Sequence, residues 1–153
     1  MSGKVSVKAL IVNSDDKFLV LTNSHMGVPH LAYRPDLPGG TMEPGETKLG
    51  ALVREVQEEI GIDISNAPRK LLGAGQGKDG QLRVELYAVW ANIRDFELDE
   101  EHCALHWLSL KDLKRQPWWP GYHELFLQVD SLLSGNDTRE FPEYRKAAPS
   151  VSV

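Results

Sequence analysis

The chain carries a single cysteine, Cys103. No intrachain disulfide can form, and a paired-thiolate metal cage is excluded. Such sparing use of cysteine fits a reducing compartment, and a cytoplasmic location is expected. Long apolar runs are missing as well. The stretches Ala9 to Val12 and Phe18 to Leu21 fall far short of the roughly 20 residues that span a bilayer, so neither a membrane span nor an anchor is expected. Positive charge is in deficit: 17 Lys and Arg stand against 22 Asp and Glu, a formal net charge of -5 with a pI near 5.5. A basic footprint for a polyanion is therefore lacking, and no stable nucleic-acid partner is expected. Internal repeats are absent, and no Pro/Gly/Ser linker separates two cores. With 153 residues, 41% of them hydrophobic, the chain suits one globular domain. We place that domain at residues 1–134 and expect residues 135–153, polar and punctuated by Pro142 and Pro149, to be a loosely held tail.

Helix and strand signals are interleaved along the domain. Lys4 to Val12 and Lys17 to Thr22 read as strands joined by the turn Asn13-Ser14-Asp15-Asp16. Ser24 to Pro38 holds three prolines and reads as a loop. From Thr47 to Ile60 the apolar residues Leu49, Leu52, Val53, Val56 and Ile60 recur at helical spacing, and Gly61 ends the run. A second hairpin is expected, with arms at Leu71 to Gly75 and Gln81 to Ile93 and a turn at Gly77 to Gly80. An acidic loop over residues 95–101 precedes a short strand at His106 to Leu108. Ser109 then opens a capped helical turn, and Tyr122 to Leu133 reads as a final amphipathic helix.

The densest chemistry lies between Gly39 and Ile62. On the expected helix, Glu55, Glu58 and Glu59 flank the apolar stripe on one patch. Glu55 and Glu59 are i, i+4 neighbours and Glu55 and Glu58 are i, i+3, spacings at which like charges repel by a few tenths of a kcal/mol per pair. A hard divalent cation relieves such crowding, because Mg2+ and Mn2+ favour oxygen ligands and also take phosphate oxygens. Gly39-Gly40 permits a close backbone approach, which makes a carbonyl there a further ligand candidate. Arg54, beside Glu55, has the planar fork that fixes a carboxylate's orientation.

Gly40, Glu46, Arg54, Glu55, Val56, Glu58, Glu59, Gly61 and Ile62 match every specified position of the Nudix box. At ordinary residue frequencies a chance match of this kind is well below about one in a million. Over residues 40–62 the chain thus resembles the Nudix hydrolases. The resemblance implies an α/β/α sandwich with a mixed β-sheet. It also implies Mg2+-dependent cleavage, with Mn2+ as substitute, of a nucleoside diphosphate linked to another group. Carried over by position, Glu55, Glu58 and Glu59 become metal ligands, with Gly39 as a carbonyl ligand. Glu55 and Glu58 double as candidates for the catalytic base, and Arg54 and Glu46 organise the helix and its loop. Some relatives use an acid from a later loop as base; Glu101 is the candidate here, with Glu100 and Glu97 as rivals.

Substrate contacts are expected from Arg34, Gly40, Tyr87 and Trp118, the last as a stacking platform for a base. His30 is a further phosphate candidate, and His102 and His106 read as structural. Signatures that mark branches acting on ADP-ribose, dinucleoside polyphosphates or NADH do not fall where expected downstream of the box. The compact chain is more similar to members that cleave a nucleoside triphosphate, ordinary or oxidised, to the monophosphate and pyrophosphate. The alternatives are a hydrolase of ADP-ribose, a nucleotide sugar or a dinucleoside polyphosphate, and a non-catalytic nucleotide-binding module. The expected partner is a small nucleotide, and the chain is expected to be a monomer or homodimer.

Overall fold

The computed structural model describes residues 3–76, 82–118, 122, 125–127, 130 and 141–153. The expected turn at Gly77 to Gly80, Trp119, part of the expected helix from Tyr122 to Leu133 and residues 135–140 of the tail lie outside these. The central strand is β1 (Lys4–Val12), which is apolar on both faces because both faces are covered. Val7, Ala9 and Ile11 face one layer, while Leu10 and Val12 face the other. Along one edge β1 pairs in parallel with β6 (Leu82–Trp90) over its whole length, and β6 pairs antiparallel with β5 (Arg69–Gln76).

The opposite edge of β1 forks. At Val12 it meets β2 (Phe18–Asn23), but over Ser6 to Lys8 it pairs instead with β4 (Gly39–Thr41). Strand β2 turns away to pair with β3 (Pro35–Asp36) and with β8 (His102–Leu108). The wedge between the prongs is filled by residues 35–41, where the Ala9 amide donates to the Pro38 carbonyl at 2.8 Å.

Helix α1 (Lys48–Ile60) covers one face of the sheet. Thr47 caps it, its hydroxyl accepting from the Gly50 amide, and Gly61 ends it at φ +76°. Its buried stripe is Ala51, Leu52, Val56 and Ile60. The expected member Leu49 sits in the first turn at the solvent boundary instead, 36% exposed. The other face is covered by α2 (Leu110–Arg115) together with the helical residues Tyr122, Leu125 and Phe126. The result is a three-layer α/β/α sandwich about a mixed sheet, as the box resemblance implied. Among the described residues no helix is long and apolar enough to cross a membrane.

The C-terminal segment departs from the expected loose tail. Residues Phe141–Ala147 form α3, and Ser150–Val151 form β9, which pairs in parallel with β7 (Asn92–Ile93). Tyr144 stacks on Trp90 with ring centroids 4.6 Å apart, and Arg145 grips both oxygens of Asp16 at 2.7 and 2.9 Å. The buried Trp90 face and the Asp16 carboxylate supply attachment that a reading of the tail's own polarity does not register.

Candidate active site

A cavity of about 600 Å3 opens at the fork of the sheet. Gly39 and Gly40 form its wall where β4 replaces β2, and both positions are fixed by sterics. A Cβ on Gly39 would lie 2.0 Å from the Val7 carbonyl oxygen, and one on Gly40 would lie 2.6 to 2.8 Å from the carboxylate of Glu55. The missing side chain at Gly40 is what lets Glu55 reach the cavity.

The three box glutamates are not equivalent. Glu58 is exposed, with 57% of its side chain accessible. Glu55 is mostly covered, and burial raises its carboxyl above the usual range although Arg54 opposes this. Glu59, expected on the same open patch, is 6% exposed and accepts from the Gly39 amide at 2.9 Å. Burial pushes it up to about 7, against the pull of Lys8 and the Gly39 N–H. The expected cluster is therefore a gradient from water to core, because α1 lies flat on the sheet and Glu59 lies on the inner side of the flanking face.

Arg54 organises the group. Its Nε and Nη2 donate to the two oxygens of Glu46 at 2.8 Å each, and its Nη1 donates to Glu55 at 3.0 Å and to Glu58 at 3.3 Å. The bidentate pair holds the Glu46 carboxyl down at about 2, helped by the Glu43 amide. Arg54 thus acts as a positioning residue: of the three carboxylates it holds, Glu55 lines the cavity.

A second ionic group lies inside the cavity, and the sequence reading does not anticipate it. Lys8 uses its three donors on Asp36 Oδ1 at 3.3 Å and on the Leu37 and Gly39 carbonyls at 3.1 Å each. Burial opposes its charge, but Asp36, Tyr122 and Glu59 together more than offset this, and Lys8 stays protonated well above neutrality. His102 donates from Nδ1 to Asp99 at 2.6 Å and faces Asp36 from Nε2 at 3.9 Å. Burial works against its charge too, yet Asp36 and Asp99 carry its pKa up to about 9. One signal does point to this group: a lysine within a strand that is apolar on both faces must find a buried partner.

This network predicts a pH-dependent stability. His102 is raised in the fold, so its contribution is fully present below its ordinary value of 6.5 and is lost as pH rises through about 9. The full effect is at most about 3 kcal/mol. Glu59, also raised, acts in the same sense at lower pH. Denaturant unfolding of the wild type between about pH 6.5 and about pH 9.5 should show falling stability, and His102→Gln should remove most of that slope. An equal slope in both proteins would refute the assignment.

The remaining candidates divide. Arg34, His30 and Glu101 line the cavity with the glycines, Glu55 and Glu59. Glu101 arrives there because the loop before it is tied to the end of α1, where the Glu97 and Asp99 amides donate to the Ile60 and Glu59 carbonyls. Its own carbonyl then accepts from the Ser24 amide at 2.8 Å. Trp118 is a core residue, 6% exposed, its Nε1 donating to the Leu113 carbonyl and its ring packed on Tyr122 and Phe126. Tyr87 points to the opposite face of the sheet and packs in the α1 layer. Neither lines the cavity. Strand parity fixes Tyr87 on that face, and the indole N–H of Trp118 finds its partner inside the core.

Among the described residues no three acidic, His or Cys side chains converge into a ready-made metal cage. Arg54 stands between Glu46, Glu55 and Glu58, and Lys8 sits on the Gly39 carbonyl. The donor set itself is hard oxygen, and it fits a Mg2+-like ion that takes part of its shell from water and phosphate.

A carboxylate-bearing helix beside a glycine wall, opening on one cavity at the fork of a mixed sheet, defines a site for phosphate chemistry of the loop-helix-loop type. The NUDIX domain model matches residues 3–129, and the chain belongs to the Nudix hydrolase family. It is 30% identical over 136 residues to the Nudix hydrolase YvcI of Bacillus subtilis, covering 84% of this chain and 82% of that one. It is also 30% identical over 128 residues to the CTP pyrophosphohydrolase of Escherichia coli, covering 76% of this chain and 84% of that one. The crystal structure of the MutT protein from Methanosarcina mazei superimposes with a TM-score of 0.71 at 27% identity, covering 86% of this chain and 96% of that one.

Proposed function

We propose that this hydrolase is a Mg2+-dependent pyrophosphohydrolase, with Mn2+ as substitute, that cleaves a nucleoside triphosphate to the monophosphate and pyrophosphate. One observation carries the reading: the Glu55 carboxylate lies against Gly40 and lines the same cavity as Gly39 and Glu59. The name of the E. coli relative supports a triphosphate substrate. The single thiol, Cys103, supports a reducing, cytoplasmic setting.

Glu55, Glu58, Glu59 and the Gly39 carbonyl would hold the ion, which supplies charge neutralisation of the diphosphate and a more acidic water. The chain's own residues do the rest. Gly39 and Gly40 allow the polyphosphate to approach the wall, and Arg34 and His30 line the same cavity. Water attacks a phosphorus atom, the bridging P–O bond breaks, and a carboxylate accepts the water's proton. The candidates for that step are Glu55 and Glu101, which line the cavity, and Glu58, which does not. Glu101→Gln discriminates between the later loop and the box: a fall in kcat of roughly a hundredfold or more assigns the proton to Glu101, and near-normal turnover returns it to the box glutamates.

The test is release of pyrophosphate and orthophosphate, with and without Mg2+. The panel is ordinary and oxidised nucleoside triphosphates, ADP-ribose, nucleotide sugars and dinucleoside polyphosphates. We expect release only with the metal, chiefly as pyrophosphate and from triphosphates. Release confined to another class would replace the substrate, and no release from folded, metal-loaded protein would overturn the reading.

A further inference from the structure

The C-terminal segment lies beyond residues 3–129, which the family model matches, and it is nonetheless fastened to the domain. Tyr144 and Ala148 pack against the core on the α2 side of the sheet, while Val151 packs against the core on the α1 side. The segment therefore passes from one layer to the other. On the way it binds residues 92–95. The Asn92 amide donates to the Pro149 carbonyl at 2.8 Å, the Arg94 amide donates to the Val151 carbonyl at 2.9 Å, and the Val153 amide donates to Asp95 Oδ1 at 2.9 Å. Among the described residues, β9 is the only strand that pairs with β7.

Past Asp95 the same loop is fixed to the box helix. The Glu97 and Asp99 amides serve the Ile60 and Glu59 carbonyls, which a helix leaves without an internal partner at its C-terminal end. Val153 covers this junction: a Cβ on Gly61, the box glycine that stops α1, would meet Val153 Cγ2 at 3.3 Å and Glu97 Cβ at 3.4 Å. The loop then delivers Asp99 to His102 and Glu101 to the cavity. Residues 94–97 are all exposed, and loops with few buried contacts open locally at little cost. The tail supplies the attachment they lack. It is itself held by Arg145 on Asp16, and the same turn holds Asn92, whose side chain exchanges two hydrogen bonds with Ser14 at 2.8 and 2.9 Å.

We infer that residues 144–153 are a clasp that positions the loop over residues 94–101, and through it Glu101, at the cavity. Tyr144 and Arg145 are its positioning residues. The kinetic consequence rests on the hydrolase reading above, whereas the clasp itself does not.

The test uses the full chain with Tyr144→Ala, Arg145→Ala and Arg145→Lys. Arg145 reaches both Asp16 oxygens through Nη2 alone, and its Nε is buried without a hydrogen-bond partner, so a lysine ammonium can take its place. Amide exchange is followed residue by residue by NMR. We expect both alanine variants to speed exchange at the Glu97 and Asp99 amides about tenfold or more, and Arg145→Lys to keep most of the protection. The Ala9 amide, bonded to Pro38 at the fork, should keep its rate throughout. In parallel we expect kcat to fall about tenfold in the alanine variants with KM little changed, and Arg145→Ala to cost less in a Glu101→Gln background than in the wild type. Unchanged exchange at Glu97 and Asp99 would overturn the inference. Equal acceleration at Ala9 would do so too, since the tail would then serve global stability alone. Unchanged kcat in the alanine variants, or full additivity with Glu101→Gln, would overturn the link to Glu101 and leave the hydrolase reading standing. Should the wild type hydrolyse nothing, the hydrolase reading fails on its own test and the exchange rates alone decide the clasp.

Discussion

Glu58→Gln is expected to lower turnover roughly a hundred- to ten-thousand-fold while leaving the fold intact. Glu58 is the most accessible of the three box glutamates, and it pairs with Arg54 at 3.3 Å. An exposed ion pair of this kind contributes at most about 1 kcal/mol, so the variant should unfold within a few degrees of the wild type. The loss in rate follows from removing one negative oxygen from a site that must neutralise a diphosphate and hold an ion against it. Turnover measured with saturating Mg2+, alongside a thermal melt, separates the two effects. Near-normal turnover would take Glu58 out of the metal-binding set and leave that task to Glu55, Glu59 and the Gly39 carbonyl.

The paired glycines should respond in opposite ways. Gly39→Ala is expected to prevent stable folding, because the new Cβ would fall 2.0 Å from the Val7 carbonyl oxygen at a backbone φ of +137°. The clash is with the central strand's own backbone, which cannot yield. A loss above about 4 kcal/mol is expected, against a typical total of about 5–15 kcal/mol. Gly40→Ala meets only the far end of the Glu55 side chain, which can swing aside. That variant should fold with a penalty of about 1–2 kcal/mol and lose activity on the order of a hundredfold as Glu55 is displaced. Circular dichroism and soluble yield report the first outcome, and kinetics on folded protein report the second. A well-folded Gly39→Ala protein would contradict the packing of β4 against β1.

Several of these features are legible in the amino-acid sequence alone. Helix α1 declares itself through apolar spacing, its cap at Thr47 and its stop at Gly61. The strand pair β1 and β2 follows from two apolar runs and a turn. The grouping of Glu46 with Arg54 is readable because eight residues on a loop and helix bring a carboxylate back to the guanidinium. All of these are short-range consequences of backbone geometry.

The misplaced residues share a different cause. Alternation along β6 separates Tyr87 from Val84 onto two faces, but nothing local says which face borders the cavity. The helical period puts Glu55, Glu58 and Glu59 on one flank of α1, yet the sheet beneath decides that Glu59 is buried and Glu58 is not. The tail reads as unattached because its anchors lie far off in sequence; Arg145 meets Asp16 across 129 residues.

By itself, then, the sequence determined the box, the helix that carries its carboxylates and the class of chemistry, since each depends on residues within a few turns of one another. Only the tertiary structure decided which carboxylates face the cavity and that Lys8, Asp36 and His102 form its charged floor. It also decided that Trp118 and Tyr87 stand away from the cavity. Those outcomes depend on where the sheet forks and on which chain segments fill the fork. Pairing between segments 28 or more residues apart, as Lys8 and Asp36 are, leaves no periodic trace in the sequence of either one.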